Sequence, residues 1–325
     1  MTKRAAVIGA GLAGLSCART MRQAGFFVEV FEQDRIIGGR IATTRVGLET
    51  FDHGAQYVTA RGQGFKGYIE ELVGLGYAAR WIPRAALHGE EGAGQMAPWH
   101  VGTPGMASLV RPLAESVRIH TGRPGHTIQR ADKGWHVWFE DETSAGPFQA
   151  VAVAIPAPQA RLLLGQIEEF GPSLARVRMA PCWALMIRLE DVTLPEQDVY
   201  SDMSEVIRWI SRNNTKPGRI SRGESIVIHA SPTWSRQTED VEPEVVAEEL
   251  WSEISHVLGL PPIRPSRMVA HLWRHGLVDQ SLGETYLYSS DHKVGVCGDW
   301  CLGRLAEHAF DSGDRLAKAI INSLI

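Results

Sequence analysis

The sequence predicts an α/β protein: a parallel sheet carrying a three-stranded meander, joined to an inserted α+β domain. Three observations carry this. The first forty residues read strand, glycine-rich turn, helix, strand. Residues 126–148 contain short alternating segments of the kind that pair antiparallel. The apolar runs 150–155 and 293–297 then return the chain to the parallel sheet. At 325 residues with 44% apolar content, the chain can bury a large core and divides most naturally into two closely joined domains.

Residues 5–8 form the first buried strand and enter Gly9, Gly11 and Gly14 directly; a helical pattern runs on to Ala24, and Gly25 ends it. Gly9 permits the tight turn, Gly11 lets a pyrophosphate approach the backbone, and Gly14 lets helix and strand pack closely. The N–H groups of the following Leu12 and Ala13, at the positive end of the helix dipole, suit phosphate oxygens. Residues 28–31 form the second strand and close on Glu32. That carboxylate follows the glycines at roughly the 20-residue interval from which ribose hydroxyls are held.

Gly38-Gly39-Arg40 follows soon after, and then Asp52-His53-Gly54-Ala55-Gln56-Tyr57. These segments resemble the glutathione-reductase-like FAD-binding fold and, within it, the flavin amine oxidase and desaturase superfamily. The resemblance implies that the Gly39–Arg40 turn lies on the pyrophosphate and that Gly54, Ala55, Gln56 and Tyr57 run beside the flavin ring. It extends to Ala154-x-Pro-Ala-Pro-Gln159, Arg212-Asn-x-x-Lys-Pro217, Ile228-His-Ala230, Trp234-Ser-Arg236 and Cys297-Gly-Asp-Trp-Cys301, which are similar to bacterial renalase proteins. By this resemblance Gly298 and Asp299 supply the second FAD motif, reaching the ribityl chain and pyrophosphate, and the start of the last helix points its dipole at the flavin. Cys301 falls near the flavin, but the Ser-Gly-Gly-Cys-Tyr context of covalent attachment is absent, so the FAD is expected to be dissociable.

The remaining elements follow in order. Phe65, Ile69, Leu72 and Val73 recur at helical spacing. Residues 87–95 read as a surface turn or irregular hairpin tip. A breaker cluster at 102–106 precedes a helix at 107–115 and a strand at 117–120. Beyond about Ala160, strands are expected at 183–189, 225–229 and 267–273, with an amphipathic helix at 244–258 that uses Val245, Leu250, Ile254 and Val257. A final helix spans about 306–324. The FAD-binding domain is therefore expected to be discontinuous, over 1–62, 102–158 and 290–325, with the substrate domain at 63–101 and 159–289.

Composition narrows the function. Charged residues make up 22% and the net charge is −4, which argues against a nucleic-acid partner. The densest basic stretch, 216–222, reads as a solvated loop. No apolar run reaches the roughly 18–20 residues that cross a bilayer. The basic, apolar start is accounted for by the nucleotide motif, so a cytoplasmic protein is expected. Four cysteines are too few for a disulfide framework; Cys17, Cys182 and Cys297 read as packed small residues, and no spacing suits a metal.

Tyr57 is the first candidate to touch a substrate, against the reading of a core tyrosine. His229 faces the pocket if its parity opposes the buried side of its strand. Trp234 and Trp273 read either as flat walls or as core; alternation sets His271, Trp273 and His275 on one face and Arg274 on the other. No nucleophile motif or strong base stands out. The resemblance implies an oxidase for dinucleotides that carry hydride at the 2- or 6-position of nicotinamide, yielding NAD(P)+ and, with O2, hydrogen peroxide. An amine oxidase or a desaturase is the alternative, although no clear pair of tyrosines for an amine cage is visible. A flavin redox sensor is the third reading. Oligomeric state is not legible.

Overall fold

Arg4–Ile8 is buried from Ala5 onward and lies at the centre of a six-stranded sheet. The order is Leu287–Ser289, Val294–Val296, Ala150–Val153, Arg4–Ile8, Phe27–Phe31, Arg118–His120, parallel except for the first strand. Parallel strands covered on both faces need apolar residues at every position, and period-two alternation sorts them. Ala5 and Val7 pack towards helices Leu12–Gln23 and Ala306–Leu324. Ala6 and Ile8 pack towards a meander of Gly125–Ala131, Gly134–Phe139 and Ser144–Phe148. The two helices approach so closely that a Cβ on Gly313 would lie 2.0 Å from the Ala13 carbonyl oxygen. This is a computed structural model; it describes residues 2–47, 49–87, 97–115, 117–190, 196–220 and 223–324.

The second sheet runs Arg267–Gln280, Arg178–Leu189, Glu224–Ala230, Ile207–Arg212, Val199–Ser201, Ala85–Ala86. Leu185, Ile187, Ile226 and Ile228 face helix Pro243–Val257 and share a core with its Leu250 and Ile254. The opposite face turns towards the first sheet's body. There Met186 and Val227 close on Phe51, and Trp209 joins the nucleotide-side core.

The structure corrects several expectations. Residues 107–115 do not form one helix: Met106–Val110 is a 3-10 turn, and only Arg111–Ala114 is α-helical. Pro112 sits in the first turn of that short helix, where its missing N–H does no harm. Val245 and Val73 lie 49% and 45% exposed at the edges of their helices' apolar faces, and Val246 takes the buried place expected of Val245. Strands Trp99–Gly102, Val199–Ser201 and Ile207–Arg212 were not anticipated. Leu287–Ser289 hydrogen-bonds to the first sheet although it precedes residue 290, and Leu163, Ile167 and Phe170 pack with the meander although they follow 158. Most of the 87–95 turn lies outside the described residues. Among the described residues no helix is long and apolar enough to cross a membrane.

Candidate active site and flavin cradle

The first turn does what its glycines allow. Gly9 takes φ +103°, and a Cβ there would come within 2.5 Å of the Ala154 oxygen. A Cβ on Gly14 would stand 1.9 Å from the Gly9 oxygen. Gly11 differs: a Cβ there would meet nothing within 4 Å, so this residue borders open space. It is the N-cap of helix Leu12–Gln23 and offers no side-chain cap. The first-turn N–H groups of a helix have no intrahelical acceptor, so a helix start bordering open space suits an anion.

Around that opening four segments converge. Glu32, buried at the end of its strand, accepts from the Ala10 N–H at 2.7 Å and from the Asp34 N–H at 3.0 Å. Desolvation raises its pKa, and these N–H groups oppose the shift. Its remaining lone pairs suit ribose hydroxyls. Gly38 donates to the Ala10 oxygen at 2.9 Å, which lays the Gly38–Gly39 turn beside Gly11. The Arg40 carbonyl accepts from the Ala55 N–H at 2.8 Å, and Gly54 passes beneath it where a Cβ would clash at 2.1 Å. The Arg40 guanidinium makes a fork with Asp299 at 2.8 and 2.6 Å, and the Gly298 N–H donates to Ser312 Oγ. Open backbone at Gly11, helix N–H groups, an arginine and a ribose-type carboxylate fit a dinucleotide such as FAD.

Residues 52–57 link this cradle to the second sheet. The His53 carbonyl accepts from Trp273 Nε1 at 3.0 Å and from His229 Nε2 at 3.1 Å. The His53 ring stacks on Trp273 and meets His271 edge-on. Gln56 is a hub: its Nε2 donates to the Asp52 and Gly54 oxygens, and its Oε1 accepts from Ser211 and Lys216. Tyr57 stacks on Trp99 with centroids 3.9 Å apart and lies tilted against Trp209.

Register places the sheet's contribution. His271, Ala184, His229 and Trp209 stand opposite one another on four adjacent strands. Their neighbours Ile226 and Ile228 face the helix side, so His229 lies on the cradle side, the parity that pocket exposure required. Trp234 is elsewhere: on helix Pro232–Gln237, it packs against the core shared with Pro243–Val257. Burial pushes the imidazole pKa of both His53 and His229 down to about 4, so both rings are neutral at pH 7.

The 216–222 stretch is not a solvated loop where it matters. Lys216 and Arg219 are buried, and both reach Asp52, itself fully buried. Asp52 also accepts from Thr43 Oγ1 and the Met106 N–H, each at 2.8 Å. Burial alone would raise its pKa, but Lys216, Arg219 and the Met106 N–H outweigh that and hold it below the usual carboxylate range. Burial lowers Lys216 to about 8, against the pull of Asp52. Sequence reasoning missed Lys216, Arg219, Trp99 and Trp209. For Trp209 a signal existed, since Ile207-Arg-Trp-Ile-Ser-Arg212 reads as a strand on composition. Cys301 is buried, and desolvation lifts its thiol well above the ordinary value.

A family model for flavin-containing amine oxidoreductases matches residues 77–321, and one for NAD(P)-binding Rossmann-like domains matches residues 7–72. Among solved structures, a protoporphyrinogen oxidase candidate from Exiguobacterium sp. 255-15 superposes with TM-score 0.79 at 13% identity, covering 99% of each chain. Cyclohexylamine oxidase from Brevibacterium oxydans IH-35A gives 0.75 at 13% identity over 100% of both chains. A putrescine oxidase triple mutant, redesigned in its cofactor binding, gives 0.74 at 13% over 99% of each.

Proposed function

The chain belongs to the flavin-containing amine oxidoreductase family, and from that premise we propose that it oxidises 2- or 6-dihydro isomers of NAD(P)H, in the manner of renalase proteins. Bound FAD supplies the hydride acceptor, and O2 regenerates it with release of hydrogen peroxide.

The observation that carries the reading is the charge of the protein groups around the site. Asp52 is committed to two cations, Lys216 and Arg219, so this buried trio carries one net positive charge. His53 and His229 are neutral. A dihydropyridine becomes aromatic as hydride leaves, so it needs orientation and no strong base. The partly buried Tyr57 ring, backed by Trp99 and Trp209, offers a wall for such a ring. His229 and Trp273, held to the His53 carbonyl, fix the facing strands.

A second reading, oxidation of an amine, draws on the same aromatic group. Tyr57, Trp99 and Trp209 form an aromatic cluster although no pair of tyrosines was visible in the sequence. Cation–π attraction would favour an ammonium there. Lys216 lies 5.5 Å from the Trp81 centroid within the same region, and its charge opposes a second cation.

Anaerobic bleaching of the flavin tests the choice. The 2- and 6-dihydro isomers should bleach it and form NAD(P)+, with peroxide on admission of air, while ordinary 4-dihydro-NADH and simple monoamines act poorly. Tyr57→Phe and His229→Ala should slow the reduction without abolishing it. Bleaching by a monoamine alone, with no response to any dihydronicotinamide, would hand the site to amine oxidation.

A further inference from the structure

Trp209 Nε1 is a buried indole N–H with no acceptor among the described residues. Most buried donors in folded proteins are satisfied, so such a group calls for a partner. Directly opposite Trp209, on the neighbouring strand and the same sheet face, stands His229. The tautomer of His229 follows from its contact. The His53 carbonyl can only accept, so Nε2 carries the proton, and the neutral ring presents Nδ1 as an acceptor. One donor and one acceptor thus stand on adjacent positions of one face, where side chains are about 5 Å apart at their bases. The Tyr57 ring lies tilted against Trp209 at 5.6 Å.

We propose that Trp209 Nε1 and His229 Nδ1 form a donor–acceptor pair that reads the primary carboxamide of a nicotinamide ring. The carboxamide oxygen accepts from Trp209, and its N–H donates to His229. This rests on the dinucleotide reading above and assigns these two residues as the specificity determinants of that substrate. A simple amine has no carbonyl for Trp209, so the pair selects against it.

The test compares two 6-dihydro dinucleotides, one with the carboxamide and one with a 3-acetyl group, which keeps the carbonyl but loses the N–H. The readout is the concentration dependence of anaerobic flavin bleaching, in variants that retain a native flavin spectrum. The wild type should need about tenfold more of the acetyl compound, the worth of one hydrogen bond. His229→Gln can keep a donor towards the His53 carbonyl but lacks Nδ1, so it should treat both compounds alike. His229→Asn, which can return an acceptor near the Nδ1 position, should restore the preference. Trp209→Phe should weaken both compounds equally. An acetyl penalty that is unchanged in His229→Gln, or a Trp209→Phe variant that matches the wild type, overturns the proposal while leaving the dinucleotide reading intact. Absence of bleaching by every dihydronicotinamide overturns both.

Discussion

Asp52 Oδ2 and Lys216 Nζ stand 3.3 Å apart with neither side chain exposed, although 164 positions separate them in the chain. Arg219 closes on the same oxygen at 2.5 Å. One buried carboxylate therefore ties the segment leading to Tyr57 to the loop that follows strand Ile207–Arg212.

Removing the shared anion leaves two buried cations without compensation, a loss of about 3–5 kcal/mol. Asp52→Asn should show that loss in urea unfolding. Lys216→Met should cost clearly less, because Arg219 still pairs with Asp52. Equal losses would mean that Lys216 is the sole effective partner.

The buried histidines make stability depend on pH in a definite direction. His53 and His229 have native pKa values near 4 against an ordinary value of 6.5. Between those values the unfolded chain binds more protons, so stability rises with pH across that window and falls on acidification through it. His229→Gln should flatten the slope of unfolding free energy between pH 6.5 and 4. A slope that is unchanged in this variant would place the titration elsewhere.

Gly11 and Gly14 should separate binding from folding. An added methyl at Gly14 meets the Gly9 oxygen at 1.9 Å, whereas at Gly11 it meets nothing. Gly14→Ala should lower the Tm of the apoprotein by several degrees. Gly11→Ala should leave that Tm unchanged yet weaken FAD binding at least tenfold in titrations, because the methyl would occupy the space where a pyrophosphate approaches. Intact FAD affinity in Gly11→Ala would move the pyrophosphate away from this turn.

Purified protein should be yellow and should release all of its flavin on acid precipitation. Attack by a cysteine requires thiolate, and burial holds the Cys301 thiol well above its ordinary pKa. Colour that remains with the precipitate would reveal a covalent link.

The nucleotide half was legible because its signals are local. Gly9, at φ +103°, and Gly14, against the Gly9 carbonyl, each answer a backbone requirement set within a few residues, Gly11 leaves open space between them, and Glu32 follows at the length of one helix and one strand. The meander and the helix Ala306–Leu324 were likewise legible from alternation, turn residues and helical spacing. The parity of strand Glu224–Ala230 made His229 a conditional candidate from the sequence, and the register of four strands settled its side.

What the tertiary structure alone decided is where charge and rings go. Lys216 and Arg219 look like solvent-facing cations in a Gly-broken stretch; only Asp52, which lies 164 positions before Lys216, makes their burial tolerable. Trp234 and Trp273 are equivalent as residue types, yet one packs under a helix and the other donates to the His53 carbonyl. Trp99 and Tyr57 stack only because strand Trp99–Gly102 is carried beside residue 57. Local backbone rules act over a few residues and can be read in order, whereas the burial of a charge or a ring is set by partners that the order of the chain does not name.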